Sequence, residues 1–379
     1  MKINEKKERK YSSLKVILPI VIALVLLFSS FAVYQVIRIR AGKDEKVVAL
    51  IPYRKGDKWG FCNRDRKMVI PTVYDSVYLF SEGLAPVHLN SKCGYIDTKG
   101  NMVIPAVYDD GGLFTDGLAF VVLDGKCGFV DTKGNMVIPA VYDDGGGSFI
   151  EGLAAVDLDG KWGFVDTKGT MVIPAVYDDG GSFIEGLAFV VLDGKCGFVD
   201  TKGNMVIPAV YDDGGPFSDG LAPVRLNSKW GYIDTKGTMV IPAVYDWANP
   251  FSEGLAPVHL NSKWGYIDTK GTMVIPAAYD NVLPFSEGLA PVHLNSKWGF
   301  VDTKGKMVIP ADYDNALPFS DGLARVEVDG KFGFIDIKGK MAIPAVYNGA
   351  GSFGDGLAGV VLNGREGYID TKDTQYWED

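Results

Sequence analysis

The chain has 379 residues, 47% of them apolar and 22% charged, with a formal net charge of −9. Its 47 glycines and 19 prolines are 66 of those residues, about 17% and below the roughly 25–30% that marks a low-complexity chain. The acidic balance excludes nucleic acid as an expected partner, because phosphate binding needs clustered Lys and Arg. Four cysteines are too few for a disulfide scaffold at this length.

Residues 1–15 form a basic tail, with Lys2, Lys6, Lys7, Arg9, Lys10 and Lys15 against Glu5 and Glu8. Residues 16–36 then carry no charge. At 1.5 Å per residue that stretch is roughly 31 Å long, enough to cross a hydrocarbon core of about 30 Å. It exceeds the roughly 7–15 apolar residues of a cleaved signal peptide. The reading is one transmembrane signal-anchor helix over 16–36, followed by a linker over 37–46 and an ectodomain over 47–379. Basic flanks tend to stay in the cytoplasm, so the expected placement is the cell membrane, single-pass, with the N-terminus cytoplasmic and the rest extracytoplasmic. Beyond residue 46 the chain has 28 basic and 43 acidic residues, a net of −15. That field keeps the ectodomain soluble and repels anionic glycopolymers at low salt.

From residue 47 onward one unit recurs with a period of 34. The box Lys-Trp-Gly-Phe starts at Lys58 and returns at Lys92, Lys126, Lys161, Lys195, Lys229, Lys263, Lys297 and Lys331, with a degenerate copy at Arg365. One interval is 35, because Gly145-Gly146-Gly147 holds an extra glycine. Residues 120–146 are identical to residues 189–215, so recent duplication is the simplest account. A fixed period in this range means a solenoid, a propeller or an array.

Three short strands are predicted in each unit. In the copy around Lys161 they are 162–166, 171–177 and 187–192, with Thr167-Lys168-Gly169-Thr170 as a turn that uses glycine for positive φ. Pro174 cannot donate to a ladder and restricts its strand to an edge, a bend or an end. Residues 178–186 read as a glycine-rich loop pinned by Phe183. Asp193-Gly194 then joins two strands as a tight hairpin. The array starts on a third strand and stops after a first strand, so neighbouring units share sheets. Propeller blades usually need four strands and about 40–50 residues. The expected fold is therefore an all-β array of about ten three-stranded units wound as an open β-superhelix or solenoid, with a closed propeller-like ring as the alternative.

The run Lys161-Trp162-Gly163-Phe164-Val165-Asp166, followed by Thr167-Lys168-Gly169 and Met171-Val172-Ile173-Pro174, resembles the bacterial WG-repeat (KWG) family. The likeness extends over about residues 47–372. It implies a repeat-built binding or scaffolding surface and no known activity. The chain departs from the family pattern where Cys93, Cys127, Cys196, Phe332 and Glu366 replace the tryptophan.

Comparison of the internal copies separates two classes of position. On the third predicted strand Leu187, Ala188, Val190 and Leu192 stand for residues that hold steady across the copies. The first interleaved series reads Pro86, Phe120, Ala155, Phe189, Pro223, Pro257, Pro291, Arg325, Gly359; the second reads His88, Val122, Asp157, Val191, Arg225, His259, His293, Glu327, Val361. Period-two alternation places both series on one face. That face is expected to be exposed and to form a contact surface, represented by Phe120, Val122, Asp157, Phe189, Arg225, His259, His293, Arg325 and Glu327. Recurring aromatics such as Phe164, Tyr177 and Phe183 are expected in the core between repeats.

Catalysis needs distinct groups converging at one place, whereas almost every polar residue here is one copy of a repeated position. No catalytic residue, enzyme activity or resident cofactor is expected. The acid pairs Asp109-Asp110, Asp143-Asp144, Asp178-Asp179 and Asp212-Asp213 offer oxygens to Ca²⁺, but they lack the spacing of a known calcium loop and suit plain turn chemistry. Cys93 and Cys127 occupy equivalent sites in adjacent units; free, buried thiols filling part of the tryptophan site are the preferred reading over a disulfide. The expected role is a membrane-anchored surface binding or scaffold module for a protein ligand. Binding of cell-wall glycan by stacking on Trp162, Trp230, Trp264 and Trp298, and a purely structural spacer, are the alternatives.

Overall fold

The computed structural model describes residues 50–145 and 147–378. The basic tail, the apolar segment over 16–36 and the linker over 37–46 fall outside the described residues. Among those described, no helix is long and apolar enough to cross a membrane.

The repeats form ten small antiparallel sheets, the blades of a β-propeller. Blade 1 opens with Ile51–Lys55. Blades 2 to 10 begin at Ser76–Val77, Asp110–Thr115, Asp144–Gly145, Asp179–Ile184, Asp213–Gly214, Trp247–Ala248, Asn281–Val282, Asn315–Ala316 and Gly349–Ala350. In blade 5 the order is Asp179–Ile184 (inner), Leu187–Leu192 (second), Lys195–Asp200 (third) and Met205–Tyr211 (outer). Each blade thus joins the end of one sequence repeat to the start of the next, as the phase of the array predicts. The stretch read as a glycine-rich loop corrects the expected three-stranded unit, because it supplies the inner strand. That strand spans two residues in most blades, and its register is broken in the two where it is longer, which is why no alternating pattern betrays it. Segments at the inner strands of successive blades come within contact range: a Cβ on Gly215 would lie 3.9 Å from the Pro250 ring and one on Gly112 4.0 Å from the Gly147 carbonyl oxygen.

The outer strand explains its own sequence. In Met205–Tyr211, Ile207 and Tyr211 are buried while Val206 and Val210 are exposed, 40% and 53%. Pro208 is exposed on this outermost strand, where a missing N–H costs no ladder bond. The outer strand also carries an irregular register against the third, Cys196↔Tyr211 then Phe198↔Ile207. The bulge brings it so close that a Cβ on Gly163, the glycine of the Trp-Gly box, would sit 2.6 Å from the Ile173 carbonyl oxygen of its own blade. Glycine is therefore required at that box. The tight hairpin is also as predicted: Asp193 and Gly194 both have positive φ, 51° and 71°, which a primed two-residue turn demands.

Both faces of each blade are apolar and packed. Ten buried clusters lie at ten interfaces, each drawing on two consecutive blades. Between blades 4 and 5, for example, Phe164, Ile173 and Tyr177 meet Phe183, Ala188 and Val190, and the Phe164 and Phe183 rings stand 5.0 Å apart. The tenth cluster joins Leu357 and Tyr376 to Ile51, Tyr53 and Cys62. The chain therefore closes, and the expected open superhelix is corrected to the ring. Closure is made by Trp377–Glu378, which pairs in parallel with Arg54 and Lys55 of blade 1. The preceding Tyr376 is fully buried and donates its N–H to the Tyr368 carbonyl of blade 10 (2.9 Å). All four cysteines are free and buried; burial pushes the Cys93 and Cys196 thiols up to about 12.

Candidate interaction surface

One end of the ring is built from the turns between second and third strands and from the single-residue links between blades. An aspartate fills most links. Asp178 accepts from Lys161 Nζ of blade 4 (2.6 Å) and from the Gly194 N–H of the blade 5 turn (3.3 Å). The lysine bond chiefly holds its carboxyl below the usual range. The same lysine–aspartate bridge recurs from Lys58–Asp75 to Lys297–Asp314. At the opposite end, turn carboxylates reach the next blade: Glu151 accepts from the Gly186 N–H (3.0 Å) and Glu253 from that of Gly288 (3.0 Å).

Just beneath the link end, one register row crosses every blade. In blade 7 it runs Trp247↔His259 and His259↔Trp264, then Trp264↔Tyr279. This row contains the second variable series and the box tryptophans. It therefore brings together Val122, Asp157, Arg225, His259, His293 and Glu327 with Trp162, Trp230, Trp264 and Trp298. Phe120, Phe189 and Arg325 lie two residues earlier on the same strands and face the inner strand of the next blade. A Cβ on Gly145 would lie 3.3 Å from the Phe120 ring, and one on Gly214 3.4 Å from that of Phe189. Arg325 donates to the Ala350 carbonyl (2.8 Å).

The expectation of a fully exposed variable face is thus corrected: all nine representative residues are half-buried. Alternation by itself implies one core face and one wet face, the usual arrangement of an antiparallel sheet. In the ring the next blade covers much of the second face, so both series keep only part of their surface in solvent. The tryptophans follow the same logic. Trp230 is only 4% exposed, and Trp162, Trp264 and Trp298 are half-buried.

Along this row the ring is divided by chemistry. Blades 3 to 5 place Asp110, Asp144, Asp157 and Asp179 there, with Asp124, Asp159 and Asp193 in the adjoining turns. Asp144 and Asp179 each accept from the N–H of the following glycine (2.7 and 2.8 Å). Among the described residues no group of three or more His, Cys, Asp or Glu side chains is placed to hold a metal ion.

Blades 6 to 8 stack an arginine and two histidines on rings, and blade 6 also carries Asp213, opposite Arg225 and 3.6 Å from its guanidinium. The Arg225 guanidinium lies 6.0 Å from the Trp230 ring centre, and His259 and His293 each sit 5.1 Å from Trp264 and Trp298. The histidines also approach the link aspartates, Asp246 at 3.8 Å and Asp280 at 3.9 Å. Trp247 completes this arc: its ring lies 5.1 Å from that of Trp230, its Nε1–H donates to Asn249 Oδ1 (2.9 Å), and it is 36% exposed. Sequence reasoning missed it because it belongs to no recurring box. The signal was present nonetheless, since among the inner strands that open blades 2 to 10 Trp247 puts an aromatic ring where the others begin with Ser, Asp, Asn or Gly.

The profile of the family described as WG containing repeat matches the chain nine times in succession, over residues 59–93, 94–127, 128–162, 162–196, 197–230, 230–264, 264–298, 298–332 and 332–365. Among proteins of curated function none matches. Among solved structures, a eukaryotic initiation factor is similar at 12% identity with a TM-score of 0.51, covering 86% of this chain and 94% of its own. Hsv2p of Kluyveromyces lactis is similar at 10% identity with a TM-score of 0.38, covering 60% and 93%. The first of these is a likeness of fold alone.

Proposed function

The chain belongs to the WG containing repeat family, and from that premise we propose that it is a non-enzymatic, membrane-anchored scaffold whose ring docks a protein partner on its link end. The observation that carries this reading is the arc of blades 6 to 8. Arg225, Trp247, Trp264 and Trp298 concentrate there residue types that dominate binding energy at protein interfaces, with His259 and His293 between them and Trp230 buried beneath Trp247. They do so on rings held rigid by strands, so little conformational entropy is lost on docking. The neighbouring acidic sector supplies a second sign of charge, and complementary potentials fix orientation more than affinity. The apolar segment over 16–36 supports a membrane anchor, and the repeats then stand outside the cytoplasm. Glycan stacking is the weaker reading, because Trp230 is covered and the other three box tryptophans offer only part of a ring.

The test places a photo-crosslinking amino acid at His259 in the full chain, with the exposed outer-strand position Val244 as control. Discrete protein adducts from position 259 and none from 244 are the expected result. Equal adduct patterns from both positions, or retention of the full chain on purified glycan polymer with no protein adduct, would overturn it.

A further inference from the structure

Where blade 10 meets blades 1 and 2, the ring has a cavity of about 380 Å³ lined by Trp59, Tyr78, Tyr368, Glu366, Ser76 and glycine backbone. It exists because the local sequence departs from the repeat in two ways. Gly359 occupies the position that holds Pro, Phe or Arg in most other copies, and a Cβ there would meet nothing within 4 Å. Glu366 replaces the box aromatic, so a carboxylate stands where a ring would otherwise cover the row. Three aromatic side chains remain around the space. Trp59 and Tyr368 meet edge to face at 6.1 Å, and Tyr78 is 48% exposed.

We infer that this cavity binds an organic ammonium cation. Ring faces attract a cation through their quadrupole, and aromatic cages are the general solution for quaternary ammonium groups. Here the cage also holds a full negative charge. Tyr78, Glu366 and Tyr368 line one space, and burial, with the Glu366 carboxylate and Tyr78 nearby, raises the Tyr368 hydroxyl. Arg54 is not part of the lining: it is 5% exposed, its Nε donates to the Glu366 carbonyl and its Nη1 to that of Gly56, both at 2.6 Å. The cavity is too small for a folded partner and suits a trimethylammonium group or a single lysine side chain. It lies apart from the arc on blades 6 to 8, so its test is independent of the partner proposed there.

Calorimetric titration of the full chain uses choline, Nα-acetyl-lysine methylamide and the neutral isostere 3,3-dimethylbutan-1-ol. At least one cation is expected to bind saturably and at least tenfold more tightly than the neutral isostere. Tighter binding of choline identifies a free quaternary amine as the ligand class; tighter binding of the lysine amide identifies a side chain of a polypeptide. Glu366→Gln is expected to lower cation affinity about tenfold and leave the isostere unchanged. Gly359→Phe, which restores the residue found at position 120 of a sibling blade, is expected to abolish binding in a folded ring. Absence of saturable heat with both cations, equal binding of the isostere, or full cation affinity in Gly359→Phe would overturn the inference.

Discussion

Gly163 shows how one atom enforces the repeat. Its missing Cβ leaves room for the outer strand to bulge inward, and the obstructing atoms on that strand are backbone: Ile173 O at 2.6 Å, Ala175 N at 2.7 Å and Ala175 Cα at 2.8 Å. Backbone of a paired strand yields less readily than a flexible side chain. Gly163→Ala is therefore expected to destabilise the ring by about 1–3 kcal/mol, the cost of forcing volume into a packed site. A lowered denaturant midpoint measures it; an unchanged midpoint would show that the outer strand can move away freely. The tryptophan beside that glycine is less constrained. Cysteine and phenylalanine fill the site at Cys93, Cys127, Cys196 and Phe332, with the thiols buried and Phe332 half-buried. A box named for two residues thus depends sterically on the smaller one.

At the scale of strands and links, the aspartate that follows most outer strands couples two blades through its two oxygens. For Asp178 one oxygen takes the Lys161 ammonium and the other the Gly194 N–H. The carboxyl titrates lower in the ring than in the unfolded chain, chiefly through the lysine. Stability from this source is complete above the unfolded carboxylate value, near 4, and disappears as pH falls through the lower folded value. The denaturant midpoint is expected to stay level from pH 7 to 5 and to fall below about pH 4. In a variant with Lys161, Lys195 and Lys229 changed to Met that acid-side fall should shrink; an unaltered acid limb would remove the links from the account. Much at this scale was legible in the sequence. Pro174 announced an edge and Asp193-Gly194 a tight turn, because each residue has a single strong backbone consequence. The inner strand was not legible, since in most blades it is two residues, as in Asp213–Gly214, and in blade 5 its register breaks between Gly180 and Phe183, so neither leaves a periodic trace.

For the whole molecule, the number of units and their phase were readable, whereas closure was not. Whether an array winds open or returns on itself depends on the angle between units, which no single residue encodes. The same gap hid the fate of the variable series: without knowing that each sheet is covered on both sides, His259 and Arg325 look alike, yet His259 lies beside the link aspartate Asp246 and Arg325 bonds the inner strand of the next blade, both half-buried. Closure itself rests on few residues. Tyr376 fills the tenth cluster, and Trp377 lies against Gly367, where a Cβ would come within 2.3 Å of its ring. Tyr376→Ala is expected to cost about 3–5 kcal/mol, as for other buried aromatics. Hydrogen exchange should show protection lost first in residues 51–62 and 365–378; uniform loss around the ring would argue that closure is not a local event.

The tail has a second consequence, for assembly. Residues 120–146 and 189–215 are identical, so a folding chain offers interchangeable pieces that compete for the same neighbours. A ring that skipped or exchanged a unit would still bury its apolar faces and satisfy its ladders, and by those measures would be nearly as stable as the native one. Only the ending differs, since Tyr376-Trp377 copies no repeat and fits one junction. The tail thus acts as a counter: it rewards the chain that arrives with every blade in order, and leaves miscounted rings open to further rearrangement.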